Sequence, residues 1–246
     1  MCDLSGVVAV ILAGGAGTRV RHLLGELPKP MAPVEGRPFL EWQVRYLARQ
    51  GVRRVVISTG YRAETIAAHF ASQPVPGVKA VCVAEPQPLG TGGGLLWATR
   101  QSGETAPVWL VLNGDTLCFA DLARAMRPLA EPEIAGVLLA REVEDTARYG
   151  SLTLDARGCL AGFAEKRPGR GLVNAGVYLF RAGLLEEFPA QTPLSLERDV
   201  FPALTARGRL LKVETMQAPF LDIGTPETLP LAAAFVRRHR NEFLLA

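Results

Sequence analysis

Lysine is scarce. Of the 27 basic residues in this 246-residue chain, four are lysines (Lys29, Lys79, Lys166 and Lys212) and the rest are arginines. A GC-rich coding background accounts for the bias. Against it a retained lysine gains interest, because arginine served almost everywhere else. The four cysteines (Cys2, Cys82, Cys118, Cys159) are scattered and form no C-x-x-C pair. They read as buried small hydrophobes in a reducing cytoplasm and not as a disulfide framework. The three histidines (His22, His69, His239) stand at no ligand spacing, which disfavours a zinc site. No apolar run approaches the roughly 20 residues of a membrane-spanning helix. The run Val7–Ala13 follows Asp3 instead of a basic segment and leads into glycines, so it reads as a strand and not a signal peptide. A formal charge of +3 is too balanced for a protein whose main partner is nucleic acid. The basic run Arg237-Arg-His-Arg240 reads as solvated arginines near a helix C-terminus, where positive charge is favoured.

What is present is a βα rhythm. Val7–Ala13, Val52–Ser58, Val78–Ala84 and Val108–Leu112 predict strands. Pro38–Gln50, Ala63–Ser72 and Gly92–Gln101 predict helices between them. Such alternation implies right-handed βαβ units and a mostly parallel sheet, which binds ligands at the carboxyl ends of its strands. From Ile134 the strand-like pieces come closer together: Ile134–Ala140, Ser151–Asp155, Cys159–Ala164 and Val173–Phe180. Helices are expected at Leu196–Ala206 and Glu227–Phe243, with strands at Leu210–Met216 and Pro219–Ile223. No linker, low-complexity tract or hexapeptide repeat interrupts the chain, so a single domain over 1–246 is expected.

The strongest local signal is Leu12-Ala-Gly-Gly-Ala-Gly-Thr-Arg19. Glycines let a backbone turn with positive φ and bring its N–H groups against an anion. The Walker A pattern is absent, and so is the last glycine of the dinucleotide fingerprint. Beyond the loop, Leu27-Pro-Lys-Pro-Met-Ala-Pro33 holds Lys29 on a segment stiffened by three prolines. A preset positive charge next to a glycine cradle suits phosphate.

L-A-G-G-x-G-T-R followed by P-K-P resembles the sugar-phosphate nucleotidyltransferases. The resemblance continues through Glu85-Pro-Gln-Pro-Leu-Gly-Thr-Gly-Gly93, Asn113-Gly-Asp115, Arg148-Tyr-Gly150, Glu165-Lys166, Asn174-Ala-Gly176, Ser195-Leu-Glu197 and Asp222-Ile-Gly-Thr-Pro226. It implies an α/β, Rossmann-like three-layer sandwich of the nucleotide-diphospho-sugar transferase type with a mixed, mostly parallel sheet. About 1–133 would be the nucleotide-binding half and about 134–246 the sugar-binding half. The implied reaction joins a nucleoside triphosphate to a sugar 1-phosphate and releases pyrophosphate. Leu12, Ala13, Gly14, Gly15, Gly17, Thr18, Glu85, Gly90 and Thr91 would contact the nucleotide, with Arg19 on the triphosphate's β/γ end. Lys29 would reach the α-phosphate and Lys166 the sugar phosphate. Asp115 and Asp222 would hold Mg²⁺. Gly150, Glu165, Asn174 and Glu197 would contact the sugar, and the charged loop Val143–Arg148 would close over it. Lys79 and Lys212 fall on no motif and read as surface.

A phosphomonoester is largely dianionic at neutral pH, so the implied nucleophile needs no general base. This agrees with a chain that has no Ser–His or Cys–His arrangement. Glu85 favours GTP, because a carboxylate accepts from guanine's N1–H and N2–H₂, although Gln87 is close enough to read the base instead. The P-F-L-E, E-P-x-P-L-G-T-G-G and S-L-E-x-D-x-F-P segments look most like those of D-glycero-α-D-manno-heptose 1-phosphate guanylyltransferases. Mannose 1-phosphate guanylyltransferases and N-acetylmuramate or glucose 1-phosphate uridylyl- or thymidylyltransferases are the alternatives. A non-catalytic regulatory relative would be expected to lose Arg19, Lys29, Asp115 or Asp222, and all four are present. The resemblance further implies a cytoplasmic enzyme feeding cell-surface polysaccharide synthesis, with no membrane contact and with homo-oligomerisation left open.

Overall fold

The computed structural model describes residues 4–146, 151–164 and 169–244. Thirteen strands appear among them. They are β1 (Val8–Ala13), β2 (Pro33–Val34), β3 (Arg37–Pro38), β4 (Arg54–Thr59), β5 (Lys79–Ala84), β6 (Val108–Asn113), β7 (Thr116–Cys118), β8 (Ile134–Val143), β9 (Ser151–Leu154), β10 (Leu160–Ala164), β11 (Gly171–Arg181), β12 (Leu210–Met216) and β13 (Phe220–Asp222). The helices are α1 (Arg21–Leu24), α2 (Phe39–Arg49), α3 (Ala63–Ser72), α4 (Gly90–Gln101), α5 (Leu122–Ala125), α6 (Phe201–Ala206) and α7 (Ala232–Arg238).

The main sheet runs β12-β8-β11-β6-β1-β4-β5, with β9 and then β10 added beside the first residues of β11. Strands β6, β1, β4 and β5 are parallel, and β11 enters antiparallel against β6. Strand β1 lies in the middle and is buried on both faces, which is why its sequence is apolar without alternation. Its odd and even residues serve opposite layers. Ala9 and Ile11 pack with α2, α3 and α7 through Leu40, Val44, Leu47, Ile66 and Val236. Val8 and Val10 pack with α4 and α6 through Leu95, Ala98, Phe201 and Leu204. The result is a helix–sheet–helix sandwich, as the βα rhythm requires.

Two expected helices are interrupted. In Leu196–Ala206, residues Leu196–Val200 form a wide π turn, with the Phe201 N–H donating to the Leu196 carbonyl, before α6 begins. Pro202 has no N–H and its ring crowds the carbonyl four residues earlier, so a regular α turn cannot pass through it. Glu227–Phe243 breaks into a 3₁₀ turn at Leu229–Leu231, then α7, then a 3₁₀ turn at Arg240–Phe243. The last turn brings Phe243 edge-on to Phe119, which also stacks on Phe235 and leans on His239. Tertiary aromatic packing overrides helical continuity there. No helix among the described residues is long and apolar enough to cross a membrane.

Candidate active site

The site forms where β1 and β6 end. Asn113-Gly114-Asp115 turns sharply after β6, and Gly114 is obligatory in it: a Cβ would lie 2.7 Å from the Leu12 carbonyl oxygen, which accepts the Gly114 N–H. Gln43, buried on α2, donates from Nε2 to the carbonyls of Asn113 (2.8 Å) and Thr116 (2.5 Å). The helix thereby holds the Asp115 turn from behind. Strand β7 follows at once and pairs with β13, so Asp222 faces Thr116, and the Ile223 N–H donates to the Asp115 carbonyl at 2.9 Å. Two aspartates more than 100 residues apart in sequence thus reach the same end of one short ribbon.

Lys29 lies on a 3₁₀ turn begun by Pro28 and Pro30, and its Nζ pairs with Asp115 Oδ2. Gly17, at φ +60°, faces the Lys29 stem so closely that a Cβ would sit 2.9 Å from Lys29 Cβ. The glycine loop therefore shapes the lysine as well as any ligand. Burial pushes the Asp222 carboxyl up, as does the charge of Asp115, against the opposing Gly224 N–H, Lys29 and Arg19. A carboxylate penalised in this way is relieved by a bound cation. Among the described residues no third histidine, cysteine or carboxylate joins the pair. Two carboxylates suit a hard divalent ion that completes its shell with water and phosphate oxygens.

A cavity of about 330 Å³ is lined by Leu12, Ala13, Gly14, Gly15, Lys29, Pro30, Glu85, Pro88, Gly90, Thr91, Asn113, Gly114 and Asp115. It collects most of the residues expected at the nucleotide. Gly17, Thr18 and Arg19 do not line it; they lie further along the loop, where Thr18 and Arg19 are exposed. Glu85 sits in a glycine notch, since a Cβ on Gly14 would be 2.4 Å and one on Gly94 2.7 Å from its Oε1. Ser58 Oγ donates to Oε1 (3.0 Å) and the Leu89 N–H to Oε2 (3.1 Å). Gln87 is exposed and not part of the lining.

A second cavity of about 250 Å³ is lined by Asn113, Asp115, Thr116, Arg141, Val143, Val173, Asn174, Ala175, Gly176, Phe220 and Asp222. It shares Asn113 and Asp115 with the first. Asn174 belongs to a bulge in β11: the pairing with β8 shifts between Asn174↔Ala140 and Tyr178↔Leu138. Gly176 occupies φ +68° within it, against the Asn113 amide. Glu197 lines neither cavity. It accepts from Tyr178 Oη at 3.2 Å and Thr91 Oγ1 at 3.3 Å, while Asn174 Nδ2 donates to Tyr178 Oη at 2.7 Å. Glu197 thus links the two sides from behind. Burial and the nearby Glu197 charge push the Tyr178 hydroxyl well up, so it stays a protonated donor. Tyr178→Phe is expected to cost about 1–3 kcal/mol of stability, the penalty of buried groups losing a partner. Denaturant unfolding checks this, and a change under about 0.5 kcal/mol, the range of ordinary surface substitutions, would count against the bridge.

Gly150, Glu165, Lys166 and part of the Val143–Arg148 loop lie outside the described residues. Lys79 is exposed and pairs with Glu104; Lys212 is half-buried and donates to the Arg157 carbonyl. Neither lines the two cavities. Sequence reading missed Arg141, Thr116 and Phe220. Phe220 was within reach, since it stands two residues before Asp222 on one strand and so shares its face. Arg141 carries no local signal.

Twin cavities meeting at an aspartate, beside a glycine loop at the carboxyl ends of parallel strands, define a nucleotide-handling α/β transferase. Residues 8–239 match the family model described as Nucleotidyl transferase, and the chain belongs to that family. A D-glycero-alpha-D-manno-heptose 1-phosphate guanylyltransferase from Campylobacter jejuni is 34% identical over 223 residues, covering 89% of this chain and 95% of that protein. A mannose-1-phosphate guanylyltransferase from Mycobacterium tuberculosis is 34% identical over 253 residues, covering 97% and 70%. The crystal structure of HddC from Yersinia pseudotuberculosis complexed with GMP-PN superposes with a TM-score of 0.81 at 34% identity, covering 92% of this chain and 98% of that one.

Proposed function

We propose that this chain transfers GMP from GTP to a sugar 1-phosphate, with D-glycero-α-D-manno-heptose 1-phosphate the favoured acceptor and Mg²⁺ the metal. The observation that carries the reading is the meeting of the two cavities at Asp115. An anion in each places two phosphates side by side there. An acceptor phosphate oxygen then forms the new bond to Pα while the bond from Pα to the bridging oxygen breaks and pyrophosphate leaves. The acceptor is already anionic, so the protein's task is positioning and charge compensation.

Residues 1–133 supply the nucleotide side and 134–246 most of the acceptor side, acting as one unit. Lys29 offers a compact ammonium to the α-phosphate, and Arg19 meets the outer phosphates from the loop. Lys166, with Gly150, Glu165 and Asn174, would hold the acceptor, and Glu197 would act through Tyr178 and Thr91. Asp115 and Asp222 would hold Mg²⁺, which supplies charge neutralisation to the phosphates when bound. Mannose 1-phosphate is the second reading, on the strength of the mycobacterial relative. Four nucleotides tested against several sugar 1-phosphates for pyrophosphate release will decide. No turnover with any pair by folded protein would overturn the enzymatic reading.

Glu85 reads the base. Each of its oxygens already accepts one protein hydrogen bond and keeps a lone pair, so the carboxylate can receive guanine's two donors. Glu85→Gln is expected to lower kcat/KM for GTP by roughly 10- to 10²-fold, the scale of 1.5–3 kcal/mol for a hydrogen bond to a charged group. An unchanged ratio of GTP to UTP turnover would remove Glu85 from base selection.

A further inference from the structure

Arg141 lines the acceptor-side cavity together with Asp115 and Asp222, yet its guanidinium pairs with neither. Among the described residues it has no ion pair and no hydrogen-bond acceptor. Its guanidinium carbon lies over the Phe220 ring, 4.6 Å from the ring centroid. A half-buried cation normally finds an anion, and this cavity offers two aspartates. Their side chains are engaged elsewhere: Asp115 with Lys29 and Thr116, Asp222 with the Gly224 N–H. Phe220 holds the group by a cation–π contact, which takes up no hydrogen-bond donor and leaves its N–H groups for another partner. Among the described lining residues Arg141 is the one cation.

Spacing indicates what that partner is. Phe220 and Asp222 are two residues apart on β13, hence on one face and about 7 Å apart. An anion between them would lie within hydrogen-bond reach of the guanidinium and beside the aspartate end of the ribbon. That is the place an attacking phosphate must take to reach the neighbouring nucleotide cavity through Asp115. A planar fork with paired N–H donors matches two phosphate oxygens.

We infer that Arg141, held against Phe220, binds the 1-phosphate of the acceptor sugar and orients its attacking oxygen. The inference rests on the guanylyltransferase reading and names a residue of its acceptor site. It also divides the cations: Lys29 and Arg19 serve the nucleotide, and Arg141 joins Lys166 on the acceptor.

The test compares wild type with Arg141→Gln and Arg141→Lys. Arg141→Gln is expected to raise KM for the sugar 1-phosphate by at least about 10-fold, the scale of one charge-assisted hydrogen-bonding group. KM for GTP should stay within about twofold, and Arg141→Lys should recover part of the loss because it restores the charge without the fork. Calorimetric binding of the sugar 1-phosphate and of the same sugar without phosphate, each in the absence of nucleotide, separates the alternatives. Weakening confined to the phosphorylated ligand supports the inference. Equal weakening of both overturns it in favour of hydroxyl recognition, and unchanged acceptor affinity overturns it outright. If wild type binds the sugar 1-phosphate but turns over no pair, the enzymatic reading fails while the binding comparison still judges Arg141.

Discussion

Asp115→Ala is expected to lower kcat by at least roughly 10²-fold, the size of the loss when one preorganised electrostatic group is removed. Asp115 does three things at once. Its carboxylate pairs with Lys29, raises the Asp222 carboxyl through its charge, and lines both cavities. Removing it leaves Lys29 unpaired and one carboxylate to hold a divalent ion. Lys29→Ala should produce a loss of the same order, and the double variant should fall well short of the product of the two, because contacting groups that act as a unit are not additive. Lys29→Arg should not rescue. The lysine ends in a compact ammonium that makes a point contact with Asp115, which a broad guanidinium fork on a differently shaped stem does not reproduce. Steady-state rates of pyrophosphate release, with folding checked by circular dichroism, decide the matter. A wild-type-like kcat for Asp115→Ala or Lys29→Ala removes that residue from the mechanism.

The second large effect is expected at Gly90. It begins α4 at φ +78°, a conformation that a residue with Cβ adopts at a cost, and the new Cβ would stand 2.5 Å from the Leu194 carbonyl oxygen. That carbonyl is not incidental. No side chain caps α4; the N–H groups of Gly92 (2.8 Å) and Gly93 (3.2 Å) donate instead to Leu194 O. The Leu194 N–H returns a bond to the Leu89 carbonyl at 2.8 Å. An alanine at position 90 therefore strains its own backbone and pushes away the group that satisfies the helix start. Gly90→Ala is expected to cost roughly 2–6 kcal/mol, combining backbone strain of about 1–3 kcal/mol with a similar overpacking penalty. Since Gly90 and Thr91 line the first cavity, which we propose takes the nucleotide, GTP affinity should fall further than acceptor affinity. Denaturant unfolding alone, with GTP and with the sugar 1-phosphate reads the stability and both affinities. Stability within about 0.5 kcal/mol of wild type would mean that the α4 entry adapts freely.

These two predictions differ in how far the sequence alone could have led to them. Gly90 and Asp115 both stood out in motifs, and the cavity contains them both. The reason for Gly90 was invisible, because Leu194 lies about a hundred residues away and meets it only in the fold. Glu197 is the reverse case. It was expected at the sugar, and the fold places it behind the site, joined to Thr91 and through Tyr178 to Asn174. Arg141 had no motif to mark it at all, since an arginine in an arginine-rich chain carries no local information.

The sequence by itself determined the layer order and the central strand. Apolar β1, flanked by amphipathic helices, leaves few other ways to bury both of its faces. It also determined the glycine loop, the stiff turn around Lys29 and the two aspartates as separate pieces, because glycine, proline and strand-end chemistry act over a few residues. Only the tertiary structure decided which pieces meet. The short β7–β13 ribbon brings Asp222 to Asp115, the β11 bulge seats Asn174 beside Asn113, and Arg141 meets Phe220 in the second cavity. Such meetings depend on register and on packing between distant segments. Those are set by burial summed over the whole core and not by any local preference.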